Sequence, residues 1–545
     1  MIANQLPLDI LHWLIAMAPI AVLLILLVGF HWRGIEAGPA GMITAALIAL
    51  LVFRTPLETL AVAAGKGIWD AVFILYVVWT ALLLYLVTLR AGAFDALRRG
   101  FLEFSRNELF LVLAIGWVFS TFFQGVAGFG APIAVTAPLL IGIGVRPIYA
   151  VLIPLIAHTW AKMFGTLAVG WLAMLRVADV ADPLTTAVQT AILLAIINLL
   201  GGLAVTWMYG KLPALLHALP MILIIALIQG GVQLGMMFIN PVLSTFIAGT
   251  LALIALYPLS RWRRYAEPAE GITERPAMQD EHTDSGVSQS DVAEGRGQMG
   301  LGMALFPYIF LTVIAILASG VPPITAILQQ IQIGLPFPAV ETGYGLTVAA
   351  GDPYSPFSLL THPGTFVLLT SLVALLVYRA KGYYDSSRHE GPSLIKNLVR
   401  DSVPSSIAIA SFLTMSKIMD HSGQVSVLAQ GIASIATVPV YAFLANWIGI
   451  LGGFMTSSST ASNILFSPLQ VQAAAALPGL SQSAVLAAQG AGGTVGNVIA
   501  PANIVIGTGA ARIAGQEGAI LRKALPWTIM TGVVTGIVTI LLNLF

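Results

Sequence analysis

The chain has 545 residues, 58% of them hydrophobic and 9% charged, a balance far from that of soluble globular chains and suited to a lipid bilayer. Twenty-five Lys and Arg against 24 Asp and Glu leave a formal charge of +1, which gives no electrostatic case for nucleic acid or a strongly acidic partner. With no cysteine, disulfides, thiolate metal sites and a cysteine nucleophile are excluded.

A span needs about 20 apolar residues to cross a hydrocarbon core of ~30 Å. In chain order the candidates fall at 11–30, 40–53, 68–89, 109–123, 147–171, 187–209, 214–236, 241–259, 301–319, 365–378, 404–419, 439–453, 483–507 and 526–544. The first is too long for a signal h-region, has no Lys or Arg before it, and is followed by HWRGIEAG rather than a small-x-small site, so it reads as a retained span. Pro and Gly interrupt several runs, which makes some of them half-helices or re-entrant segments. The expected fold is an all-α polytopic membrane protein with about 12–14 transmembrane helices.

Basic residues gather in four connections: 89–106, 261–296, 379–400, and the segment holding Arg512, Arg522 and Lys523. The Lys/Arg bias places these in the cytoplasm and leaves both termini periplasmic. An even number of crossings must then separate the first two connections. The apolar runs satisfy this only if the stretch TFFQGVAGFGAPIAV, residues 121–135, is not a simple span or another boundary moves. Residues 261–299 are polar and low in aromatics, and are expected to form a disordered cytoplasmic linker between an N-terminal half, 1–260, and a C-terminal half, 300–545. The irregular region 329–365 reads as an outside or partly embedded loop.

The halves carry a faint repeat. Phe123 opens the glycine run and Gly165 closes IAHTWAKMFGT; Phe454 opens FMTSSSTASNILFSPLQ and Gly496 closes AAQGAGGTVGN; both pairs are 331 residues apart, and His158 falls opposite Gln489 at that offset. Paired interruptions in two halves point to a transporter site built from broken helices, with the repeats in inverted topology. Backbone amides freed by such a break cannot face lipid, so they line a protein-enclosed cavity, and half-helix N-termini offer donors to an anion.

The candidate substrate-binding set is therefore Gln124, Gly125, Gly128, Phe129, Gly130, Ala131 and Pro132; His158, Thr159 and Lys162; Thr456, Ser457, Ser458, Ser459, Thr460 and Asn463; and Gln489, Gly492, Gly493, Thr494 and Asn497. Small residues also serve close helix packing. Lys162 could contact an anion or snorkel to the interface, and His158 could titrate or hold a structural hydrogen bond. Lys417 and Asp420, three apart, are expected to pair on one helix face. Asp70, Glu341 and Asp352 read as interfacial, with a proton or sodium role as the alternative.

GVAGFGAPIAVTAPLL resembles the GAAGFGAP signature of the lactate permease family. FMTSSSTASNILFSPLQ is similar to that family's FLTGSDTSSNALFAALQ, and QGAGGTVGNVIAPANI to its NTTGGVTGKMISPQSI. The resemblance covers most of the chain and implies a multi-pass bacterial inner-membrane symporter of small 2-hydroxy monocarboxylates such as lactate or glycolate, driven by protons. The chain departs from the family pattern at chosen places. Gln124 stands where the pattern has Glu, Ser459 where it has Asp, Asn497 where it has Lys, and His158 and Gln489 where it has Asn. Conversely, Lys162 replaces an apolar residue. These changes leave open another small organic anion, such as a different hydroxy acid or a sulfonate, and coupling to sodium rather than protons.

An intramembrane enzyme is disfavoured, since the chain has no HExxH, Walker motif, GxSxG elbow or paired catalytic carboxylates. A passive channel would share the glycine-lined path without a coupling residue. No cofactor or metal is expected. The partners are the substrate anion, a coupling ion and membrane lipid, and the number of subunits is open.

Overall fold

The computed structural model describes residues 6–102, 105–128, 130–269, 271–279, 299–320, 322–384 and 393–544. The protein is mostly helical, and among the described residues ten helices are long and apolar enough to cross a membrane. The N-terminal half contains α1 (Ile10–Gly29), α2 (Gly34–Leu51), α3 (Leu57–Arg90), the short α4 (Ala93–Leu102), α5 (Glu108–Val126), α6 (Ala131–Gly142), α7 (Pro147–Ala157) and α8 (Gly165–Val177). The long segment Pro183–Met236 breaks at Gly210 and Lys211, giving α9 (183–209) and α10 (212–236); α11 (Ser244–Arg261) and the single turn α12 (Arg263–Ala266) follow.

The C-terminal half contains α13 (Leu301–Gly320), α14 (Pro322–Leu328), α15 (Pro363–Ala380), α16 (Leu394–His421), α17 (Gln424–Ala433), α18 (Val438–Thr456), α19 (Ser459–Ala476), α20 (Gln482–Gly496), α21 (Pro501–Ala510) and α22 (Glu517–Leu542). Many helices start where local chemistry allows. Asn107, Asp182, Ser458 and Ser481 cap first-turn N–H groups with their side chains, and Pro147, Pro183 and Pro501 occupy the first helical position, where no N–H is needed.

Two expectations are corrected. The fold is not purely helical, because region 329–365 contains antiparallel pairs Gln332–Phe337 with Gly351–Ser358, and Val340–Glu341 with Thr347–Val348. Nor is the first part of the polar segment 261–299 free chain. Tyr265 is buried, Arg275 pairs with Glu108 at 2.5 Å, and Met278 bridges to Val145, so these residues pack back onto the N-terminal half. Residues 280–298 lie outside the described residues.

The helices α5 and α6 form a hairpin whose two ends lie together. Glu108 at the start of α5 meets Arg275, while beyond α6 Gly144 O accepts from Gln279 N, and Arg146 N donates to Ala277 O, both at 2.8 Å. The helices α18 and α19 do the same: Tyr441 Oη donates to Gln470 Oε1 at 3.0 Å, and Val438 lies beside Gly479. The two mouths sit at opposite ends of α9. Gln482 bonds Ala181 N at 2.8 Å and Asp179 O at 3.0 Å just before α9 begins, whereas Tyr209 at its end donates to Glu108 at 3.2 Å. At ~1.5 Å per residue, residues 183–209 hold these points roughly 40 Å apart.

Candidate functional site

Four helix breaks meet at one place. After α5, Ala127 turns extended, and Gly130 at φ 85° opens α6; that left-handed conformation favours glycine. After α7, one tight turn at Thr159–Lys162 leads into Thr166, Leu167 and Ala168 at φ 49°, 53° and 59°. For residues carrying a Cβ such a turn costs roughly 1–2 kcal/mol each. After α18, Ser457 takes φ 55° and Ser458 caps α19 by accepting from Ala461 N. The fourth break separates Gly496 from Pro501.

Between them lies a small, partly open cavity. The first break contributes Gln124, Gly128, Gly130 and Ile133; the second His158, Lys162, Gly165, Thr166 and Val169; the third Ser457, Ser458, Ser459 and Thr460; the fourth Asn497 and Asn503. Among the described residues, no Asp or Glu lines it. Lys162 Nζ donates to Asn497 Oδ1, and Asn503 Nδ2 donates to the same oxygen at 2.6 Å and to Asn497 O at 3.1 Å. Lys162 therefore points inward rather than snorkelling, and among the described residues it has no carboxylate partner. His158 is buried with Nδ1 lacking a hydrogen-bond partner. The starts of α6, α19 and α21 border the cavity and bring positive dipole ends to it. A partly buried ammonium and helix N-termini, with no anionic side chain beside them among the described residues, make surroundings whose chemistry suits a small anion.

Several expected site residues lie elsewhere. Gln489 donates to Ser462 O and Oγ and accepts from Gln470, so it ties α20 to α19. Asn463 donates to Gly170 O at 3.1 Å and to Met163 Sδ. Thr159 and Thr494 bond their own helices through Leu155 O and Ala491 O, and Thr456 bonds Gly452 O and Ser458 O. Gly125 backs onto Phe246 of α11, and Gly492 and Gly493 pack within the α18–α19–α20 contact. Ala131 and Pro132 start α6 without lining the cavity, and Phe129 lies outside the described residues. Sequence reasoning missed Thr166, whose strained turn leaves no sequence mark, and Asn503, the polar residue in the APAN run just past the fourth break.

Gln124 Nε2 sits between Gly128 and Gly165, 3.2 Å and 3.1 Å from where their Cβ atoms would be. A Gln124→Glu protein would place a negative charge in the cavity, and against a bound anion that repulsion at low dielectric is worth more than about 1.4 kcal/mol. Binding of a radiolabelled 2-hydroxy acid to the purified protein is expected to weaken at least tenfold; unchanged or tighter binding contradicts this placement.

A second buried cluster stands apart from the cavity. Asp70, fully buried, faces Arg176 at 3.7 Å and Lys417 at 3.6 Å, and accepts from Tyr354 Oη at 3.0 Å. The expected Lys417–Asp420 pair is thus replaced by a tertiary one, with Asp420 turned to His421 at 3.4 Å. Asp70 is not interfacial, because the chain folds the strand Gly351–Ser358 over it.

Broken helices closing on a polar cavity inside a many-span membrane chain define a membrane transporter. The family model described as L-lactate permease matches residues 12–545, and the chain belongs to that family. It is a multi-pass bacterial membrane permease and not an enzyme. It is 27% identical over 548 residues to the L-lactate permease of Halalkalibacterium halodurans, covering 97% of this chain and 96% of that one. It is 28% identical to the L-lactate permease of Salmonella typhi (96% and 95% covered) and 26% identical to the glycolate permease GlcA of Escherichia coli K12 (97% and 95%). Among solved structures, the YdaH transporter of Alcanivorax borkumensis aligns at TM-score 0.41 and 16% identity, over 85% of this chain and 84% of that one.

Proposed function

We propose that the protein is a symporter that takes up small 2-hydroxy monocarboxylates such as lactate or glycolate, with the substrate carboxylate held by Lys162 and the first turns of α6 and α19. The observation that carries this reading is the Lys162 ammonium in a cavity without a carboxylate. A small carboxylate supplies the missing counter-charge, and Ser458, Ser459 and Asn497 offer partners for a 2-hydroxyl group.

The architecture we infer is two inverted repeats, 1–260 and 300–545, joined by 261–299, with twelve crossings and two re-entrant hairpins (α5–α6 and α18–α19). The support is geometric: the hairpin mouths lie at opposite ends of α9, and the hairpins supply the parity that the basic connections require. All four of these connections gather on the face of Glu108. Arg99 donates to Met299 O, Tyr384 Oη to Val87 O and Lys523 Nζ to Tyr149 Oη, while Arg275 meets Glu108 itself. We assign that face to the cytoplasm, with both termini periplasmic.

The coupling ion we infer is the proton, with His158 as the titratable group beside Lys162. In proteoliposomes, labelled L-lactate or glycolate is expected to accumulate under an inward proton gradient and not when that gradient is collapsed. Accumulation that follows only sodium shifts the coupling ion. Uptake indifferent to both gradients contradicts symport and indicates a channel. Another small organic anion is favoured by the neutral residues Gln124, Ser459 and Asn497 at motif positions, and a substrate panel separates it from lactate.

A further inference from the structure

The repeat reading above places buried and exposed charges in matched positions. The helices α3 and α16 each end at a left-handed glycine, Gly92 at φ 76° and Gly423 at φ 84°, followed by ten-residue helices, α4 and α17, 331 residues apart. At that offset Asp70 corresponds to Asp401. Beyond the second and fourth breaks the spacing is five residues longer, since α8 starts at Gly165 and α21 at Pro501, and at that spacing of 336 Arg176-Val-Ala at the end of α8 matches Arg512-Ile-Ala just past α21. The acid and the base of the outer ion pair thus both recur in the second repeat.

The two copies are in opposite states. On the outer face Arg176 meets Asp70 at 3.7 Å and donates to Ser355 O at 2.6 Å, while Lys417 donates to Arg176 O at 2.8 Å, so α3, α8, α16 and the strand Gly351–Ser358 are tied together. Asp179 and Asp420 stand at the rim of this cluster, and Lys66 behind it bonds His421 at 3.4 Å. On the inner face, among the described residues, Asp401's one ion pair is with its neighbour Arg400, at 2.8 Å, and Arg512 is exposed and in none.

Packing shows the same asymmetry. The contacts of α2 with α16, α1 with α17 and α8 with α19 each have a repeat-related mate: α15 with α3, α13 with α4, and α21 with α6. The helix α3 packs on α8, but among the described residues α16 makes no comparable contact with α21. Accordingly, residues 165–171 of α8 are buried, whereas Pro501, Ala502, Val505 and Ile506 of α21 are exposed.

We propose that Asp70 and Arg176 form the outer latch of an alternating-access cycle, and that Asp401 and Arg512 form its inner latch, an ion pair made only when α21 closes onto α16 and the cavity turns outward. This rests on the inverted-repeat reading. The structure is then the inward-facing state, and transport requires exchanging one latch for the other. Neither inner residue touches the cavity, so the pair governs translocation and not binding.

The test is charge reversal in the full-length protein. Asp401→Arg and Arg512→Asp are each expected to lower the initial uptake of L-lactate or glycolate at least tenfold, while binding of the same acid to the detergent-solubilised protein stays within twofold of native. The double variant, which restores the pair with its charges swapped, is expected to recover uptake to within threefold. Single variants that transport normally, a double variant no better than the singles, or single variants that also lose binding would each overturn the latch. A native protein that moves none of these acids defeats the proposed substrate instead, and that is decided before any variant is made.

Discussion

A Lys162→Met protein is expected to fold normally and to lose its anion. The methionine keeps the length and apolar stem of the lysine, while removing an ammonium whose only described hydrogen bond is to Asn497 Oδ1. Because no carboxylate partners Lys162 among the described residues, the substitution strands no opposite charge, and replacing such a partly buried, unpaired ion by an apolar group is often neutral or stabilising. Binding behaves oppositely. The substrate carboxylate would enter a desolvated cavity with its principal counter-charge gone, a loss of about 3–5 kcal/mol, or at least 100-fold in affinity. Thermal unfolding and equilibrium binding on one purified sample separate the two effects. Native affinity with native stability removes Lys162 from the site.

Gly496→Ala is expected to do the reverse, damaging the fold with little direct claim on the ligand. A Cβ at Gly496 would stand 2.0 Å from Ile450 O, one at Gly492 2.0 Å from Asn446 O, and from the facing helix one at Gly453 would stand 2.2 Å from Gly493 O. Gly449 and Gly453 on α18 thus meet Gly492 and Gly496 on α20, a small-xxx-small contact on both helices. Backbone cannot yield as a flexible side chain does, so the helices must separate, at about 3 kcal/mol or more. A marked fall in the unfolding temperature of the detergent-solubilised protein checks this. Unchanged stability with lost binding would return these glycines to the ligand.

These two outcomes show where the sequence is legible. Apolar runs and interrupted motifs mark the spans and breaks, because hydrophobic length and the freeing of backbone groups leave composition signatures. The parity demanded by the basic connections leaves two readings, that TFFQGVAGFGAPIAV is not a plain span or that another boundary moves, and the α5–α6 hairpin is consistent with the first. The glycines of AAQGAGGTVGN are ambiguous by composition, since a glycine that admits a ligand and one that admits a helix are the same residue. Only the approach of Ile450 O and Asn446 O distinguishes them. Lys417 illustrates the other limit: Asp420 is three residues away in sequence, but the fold brings Asp70 to it from α3. Local spacing cannot anticipate such a partner. Asn503 and Thr166 were missed because one lies past the motif and the other is placed by backbone strain.

The measurement that bears most directly on the four-break site is a density map of the protein saturated with glycolate. The account expects the carboxylate within hydrogen-bond reach of Lys162 Nζ, facing the first turns of α6 and α19, with the hydroxyl toward Ser458, Ser459 or Asn497. Density for the acid at Arg176 and Lys417 with an empty central cavity would contradict it.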